Sequence, residues 1–381
     1  MRAIYIFLFM VLSGLKLVPG SVSVSLFDFF VLLFIFYFLL NQKLKVVWSK
    51  KISNYVLTIL LIQFIAVIFY QPTITKFIFA VRFIEYFLIL FVASFYYINR
   101  SDIYKPLLTY YFCIIITFFI PILPFYKYGL FNYVWEAPAV VSILAFYFLI
   151  TPGSRIVKVL TIVCAFVLIY ASGQRTPAAA FIISAAIYFW NTGPHWRKPI
   201  FVIASVSLFS VLVDYADTRL FNTFFEVFNY SNINAFFEFQ KQVSNTSMDY
   251  DTFVYGSRNL VGDDGDLSLQ LRLRKWSYAL FSQIDSPHTF LVGLGPGFFG
   301  GAADSSFMRV FFETGIIGLL FWYLFFRHMF RFQFRAISYI TICFLLNGVF
   351  IDTLYSSRIF PLYLLILGSY LGSRRTIFHV R

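Results

Sequence analysis

The stretch Gly295-Pro296-Gly297-Phe298-Phe299-Gly300 fits G-x-G-x-x-G, the spacing of a turn that cradles a dinucleotide pyrophosphate. Such a turn needs a buried strand before it, a βαβ helix after it and an acid about 20 residues further on. Here a proline occupies the turn, and the segment that follows, 304–326, has the length and apolarity of a membrane span. The glycines are therefore expected to let the backbone turn tightly and return a long loop to the membrane. No nucleotide or other cofactor is expected.

The ionisable side chains offer other chemistry. Arg272, Arg274 and Lys275 lie close together in "LSLQLRLRKWSYAL" (267–280), Asp304 stands at the head of 304–326, and Arg175 opens 175–190. A guanidinium stays protonated and binds phosphate oxygens in pairs. A positioned carboxylate or imidazole takes a proton from a hydroxyl. Each residue also has a plainer reading: Arg175 as an arginine snorkelling at an interface, Arg272 and Arg258 (in "YGSRN") as solvated loop charges, Asp304 as a helix N-cap. His288, in "DSPHTF", is a further candidate base. Arg309 and Glu313 stand i, i+4 inside an apolar segment, and Arg82 and Glu85 stand i, i+3; such groups usually pair and face the interior. The four histidines show no metal-ligand spacing, and Cys113, Cys164 and Cys343 all fall in apolar segments, so neither a metal site nor a structural disulfide is expected.

The elements that must position these groups follow from composition. The chain has 381 residues, of which 60% are apolar, 22% aromatic and only 12% charged. A soluble domain runs nearer about half apolar and a quarter charged. Apolar runs long enough to cross a hydrocarbon core of roughly 30 Å recur along it. The expected fold is an all-α polytopic membrane protein with spans at 3–15, 22–40, 52–70, 77–98, 107–125, 135–151, 159–173, 175–190, 200–216, 304–326, 336–354 and 359–372. Met1 to about Gly20 could pass for a signal peptide, but it lacks an A-x-A-like site and is read as the first helix.

The net charge of +13 then acquires a location. Twelve spans put both termini on one side. The connections on that side carry Lys43, Lys45, Lys50, Lys51, Arg100, Lys105, Arg155, Lys158, Arg197, Lys198, Arg327, Arg331 and Arg335, and the termini add Arg2, Arg374, Arg375 and Arg381. Asp102 is the single acid among them. Positive loops stay in the cytoplasm, so this side is expected to be cytoplasmic and the basic excess to report topology, with no nucleic-acid partner.

The connections are short except for 217–303, which divides the chain into a bundle over 1–216, an external loop and a bundle over 304–381. A loop this long usually has structure and function of its own. Phe221, Phe224, Phe225 and Phe228 recur at helical spacing and predict an amphipathic helix on the outer membrane surface. Residues 241–266 are polar and turn-rich and read as a mobile stretch. In 267–280, Leu269, Leu273, Trp276 and Leu280 form a helical stripe, which would turn Arg272 and Lys275 to one side and Arg274 away. Internal repeats, the basis of common transporter architectures, are not detected.

Together these residues resemble a family. "LVGLGPGFFGGAADSSFMRVFFETGIIGLLFW" (291–322) resembles the signature of the O-antigen polymerase and O-antigen ligase superfamily, in which a long outer loop ends in a Gly-rich turn and the next helix carries Glu-x-Gly-x-x-Gly, here Glu313, Gly315 and Gly318. Arg272 with Trp276, and Arg175 in "SGQRTPAAA", resemble its two arginine sites. The ligase branch has a His where this chain has Asp304, ahead of Ser305 and Gly315, so the resemblance implies the Wzy-type polymerase more than the ligase. By that resemblance the protein is an inverting, metal-independent glycosyltransferase of the bacterial inner membrane. It joins undecaprenyl-pyrophosphate-linked oligosaccharides at the periplasmic face, with lipid-linked donor and acceptor, membrane lipid, a chain-length regulator and a flippase as partners. The implied catalytic residues are Asp304, Arg175 and Arg272, with Arg274, Arg258, His288 and Arg309 binding substrate. The rivals are a ligase acting on lipid A-core and, from another class, a polysaccharide transporter or flippase.

Overall fold

The computed structural model describes residues 50–70, 73–95, 100–120, 130–131, 133–193, 230–245, 249–255, 267–300, 303–331, 335–349 and 351–378. Among them the chain forms thirteen α-helices and no strand: α1 (Lys50–Phe69), α2 (Ile74–Phe95), α3 (Arg100–Phe119), α4 (Glu136–Ile150), α5 (Arg155–Ser172), α6 (Arg175–Thr192), α7 (Tyr230–Asn245), α8 (Tyr250–Tyr255), α9 (Leu267–Ile284), α10 (Pro287–Val292), α11 (Ser306–Phe330), α12 (Arg335–Gly348) and α13 (Ile359–Phe378). Four segments, Lys51–Phe69, Lys76–Ser94, Arg155–Ser172 and Ser306–Phe330, are long and apolar enough to cross a membrane; α3, α4, α12 and α13 hold shorter apolar stretches. This is a helical, multi-pass membrane architecture. The expected spans 3–15, 22–40 and 200–216, and the Phe221–Phe228 stripe, lie outside the described residues.

A helix that is apolar all round must be enclosed all round. α4 meets that demand: every residue from Glu136 to Phe148 is buried, with α3, α5, α6, α12 and α13 packed about it. α13 is buried from Ile359 to Tyr370 and lies along α2, close enough that a Cβ on Gly368 would come within 2.6 Å of Ala93. Small residues at such a contact let two backbones approach. α5 is the opposite case, turning Ile156, Val159, Leu160, Val163 and Val167 outward, as a helix facing lipid would.

Two expectations need correction here. The span expected at 336–354 ends at Gly348; residues 351–358 form a turning linker that carries Asp352, Ser356 and Arg358 into the interior. The stretch 241–266 is not all turn: α7 continues to Asn245, and α8 follows, its first turn receiving Asp249 as an acceptor for the Thr252 N–H at 3.3 Å. α7 and α8 pack on α9 through Phe239, Val243, Phe253, Leu271, Tyr278 and Phe281, so this part of the long connection between α6 and α11 has a small core. α9 is helical, as the Leu269–Leu280 stripe predicts, and it and α10 dock on α11.

Candidate active site

α11 is the element on which the site is built, and it is broken. Gly315 has φ 65 and ψ −172 inside the helix, which removes α-helical donors from the carbonyls just before it. Three outside donors replace them. Gln283 Nε2 donates to Phe311 O at 3.0 Å, and Leu294 N and Gly295 N donate to Phe312 O at 2.8 Å and Glu313 O at 3.0 Å. The backbones meet so closely that a Cβ on Gly293 would lie 2.4 Å from Glu313 O, and one on Gly315 would lie 2.3 Å from Leu291 O. This is what the glycine-rich stretch does: Gly293 and Gly295 fold the loop along the break in α11 with φ of 92 and 87. Gly315 itself makes the break.

The loop then delivers Ala303 and Asp304 to the head of α11. Ala303 N donates to Asp352 Oδ2 at 2.6 Å, and Ala303 O accepts from Trp276 Nε1 at 3.1 Å, so the dipeptide is gripped by the 351–358 linker and by α9. Asp304 has φ 62, and its carboxylate pairs with Lys275 Nζ at 2.9 Å. It is not the helix cap: Ser305 is, accepting from Met308 N at 3.4 Å. The cap reading of Asp304 is thereby corrected, and its carboxylate is left for other work.

The cations of α9 have separate fates. Arg274 turns toward α7 and α8, 4.8 Å over the Phe239 ring, and donates to Phe253 O at 3.3 Å; burial draws its pKa down. Arg272 is half-buried one turn before Lys275 and Trp276, so helical spacing sets it on the face that meets 303–304. Its Nε is buried and makes no hydrogen bond.

Arg309 lies deeper, bonded through Nε to Glu313 at 3.0 Å and through Nη1 to Asp352 at 3.2 Å, with its guanidinium 4.1 Å over Tyr355. The pairing of Arg309 with Glu313 is as expected; the second acid, Asp352, was missed. Its signal was available, since an acid at the end of an apolar run is costly unless partnered. Also missed were Lys275 as the partner of Asp304, and Lys76, buried where the turn approaches α1 and α2 and donating to Tyr70 O at 2.9 Å. His288 is exposed at the start of α10, bonded to Ser286 and beside Phe69, on the part of the loop that contacts α1. Arg175 starts α6 just after a tight turn in which Gly173, at φ 66, caps α5; its side chain lies outside the described residues, as does Arg258.

With this geometry in view, the comparison with known families becomes specific. Residues 160–323 are similar to the O-antigen ligase family. The match runs from α5 through the long connection to most of α11, and so takes in Arg175, Arg272, Asp304, Arg309 and Glu313, while Asp352 lies beyond it. It supports the wider O-antigen ligase and polymerase superfamily without separating its two branches. No curated protein matches the chain. Among the described residues no cluster of His, Cys, Asp and Glu has the arrangement of a metal site.

Proposed function

We propose that the protein is a polysaccharide polymerase of the bacterial inner membrane, moving a growing glycan from undecaprenyl pyrophosphate to a sugar hydroxyl on a second lipid-linked unit at the periplasmic face. The observation that carries this reading is the partly exposed carboxylate of Asp304, held at the α9–α11 junction by Lys275, with Arg272 one helical turn earlier on α9.

The chemistry follows from those two groups. Asp304 accepts the proton of the acceptor hydroxyl as the oxygen forms its bond to the anomeric carbon of the donor. The bond from that carbon to the pyrophosphate oxygen breaks on the opposite face, which inverts the centre, and the lipid pyrophosphate leaves with the electron pair. Arg272, with Arg175 as the second expected guanidinium, offsets the charge on the departing phosphates; one fixed donor of this kind is worth about 2.7–4 kcal/mol in the transition state. The donor is already activated, so the scheme needs no nucleotide and no metal. Arg274 is committed to aromatic faces and the buried Arg309 to Glu313 and Asp352, which leaves Arg258 and His288 as the remaining candidates for contact with substrate.

The ligase reading has one observation in its favour, the description of the matching family. Against it stands Asp304, at the place where the ligase branch carries His. Two strains separate them. In a host lacking its own polymerase, the protein is expected to restore a ladder of many repeat lengths. Attachment of single units in a ligase-deficient host, with no ladder in the first, would reverse the assignment.

A further inference from the structure

We infer that Lys275 is a positioning residue for Asp304, fixing its carboxylate at the α9–α11 junction for proton transfer; this rests on reading Asp304 as the residue that takes the acceptor's proton. Asp304 is the one non-glycine residue with positive φ among the described residues. That conformation costs an L-residue about 1–2 kcal/mol and persists where the surroundings over-determine it. Ala303 is gripped at both its N–H and its carbonyl, and Ser305 caps the helix, so the backbone on either side is fixed without the Asp304 side chain. A glycine would satisfy that turn with less strain. What aspartate adds is a carboxylate, and its direction depends on Lys275 Nζ at 2.9 Å.

The two partners differ in exposure, and the difference assigns their roles. The Lys275 side chain is 9% exposed and that of Asp304 31%. The ammonium thus approaches from the protein side and leaves part of the carboxylate open. During transfer Asp304 gains the hydroxyl proton and becomes a carboxylic acid, while Lys275 keeps its three protons throughout. Lys275 acts through Asp304 and does not touch the reacting atoms.

The test uses the full-length protein in lipid nanodiscs with lipid-linked repeat units extracted from a polymerase-deficient host, and reads chain extension against substrate concentration. Lys275→Met is expected to lower kcat about 100-fold, the scale of an ångström-sized misplacement, with KM unchanged. Lys275→Arg, which keeps the charge, is expected to recover most of that loss. Wild-type kcat in Lys275→Met, a loss confined to KM, or a loss that Arg does not recover would each overturn the role. If the Met variant aggregates, Lys275→Gln carries the same readout. Arg272→Ala is run beside them: full extension by that variant would defeat the polymerase site itself, whereas an inactive Arg272→Ala with an unimpaired Lys275→Met defeats the positioning role alone.

Discussion

On α9 two of the three cations are committed to protein partners, and the half-buried Arg272 is the one left for a phosphate. Arg274 is spent on Phe239, Phe253 and a carbonyl, and Lys275 on Asp304, whereas the buried Nε of Arg272 bonds to nothing. Arg272→Lys should therefore fail as a replacement despite keeping the charge, because the planar fork is lost; glycan ladders at normal expression should shorten or vanish. Arg274→Ala should instead lower the melting temperature, through loss of a desolvated cation–π contact worth about 2 kcal/mol, and leave ladder length unchanged. The sequence already separated Arg274 from its two neighbours by helical phase. It could not show that Asp304 completes a pair with Lys275, because the two stand 29 positions apart with a turn between them.

At the scale of the element, the broken helix α11 explains the glycines better than a cofactor turn or helix packing does. Gly300 and Gly293 both have positive φ, but a Cβ on Gly300 meets nothing within 4 Å while one on Gly293 meets Glu313 O at 2.4 Å. Gly300→Ala is expected to cost about 1–2 kcal/mol, the backbone term alone; Gly293→Ala adds overpacking of about 1–3 kcal/mol, read as a lower yield and melting temperature in detergent. The Arg309 cluster predicts a second asymmetry. Asp352→Ala removes one partner from a buried ion pair and should cost about 3–5 kcal/mol, comparable with Glu313→Ala, although Asp352 lies outside the region similar to the family. Helices α1 to α6 and α11 to α13 were legible as apolar runs and α9 as a stripe, whereas α7, α8 and α10 were not. The break was not, since a glycine in such a run carries no mark of its φ, and the 351–358 linker was hidden because Val349, Phe350 and Ile351 prolong the apolar sequence pattern of α12.

For the whole molecule, the same apolar composition sends helices to opposite environments. α4 and α13 are enclosed and α5 faces outward, a difference that hydropathy alone does not encode. The charge asymmetry bears instead on which end faces which compartment. In a cysteine-free background, Cys placed at the exposed position Glu238 should react with an impermeant thiol reagent from the periplasm, and Cys at the exposed position Arg331 only after the inner membrane is opened. The opposite pattern would put the site on the wrong face for lipid-linked glycans. The most direct test of the account is glycan length made by Arg272→Ala and by Asp304→Asn, each expressed at wild-type level in a host without its own polymerase. The account predicts that both leave only single repeat units while Arg274→Ala still gives a full ladder; full ladders from either of the first two would contradict it.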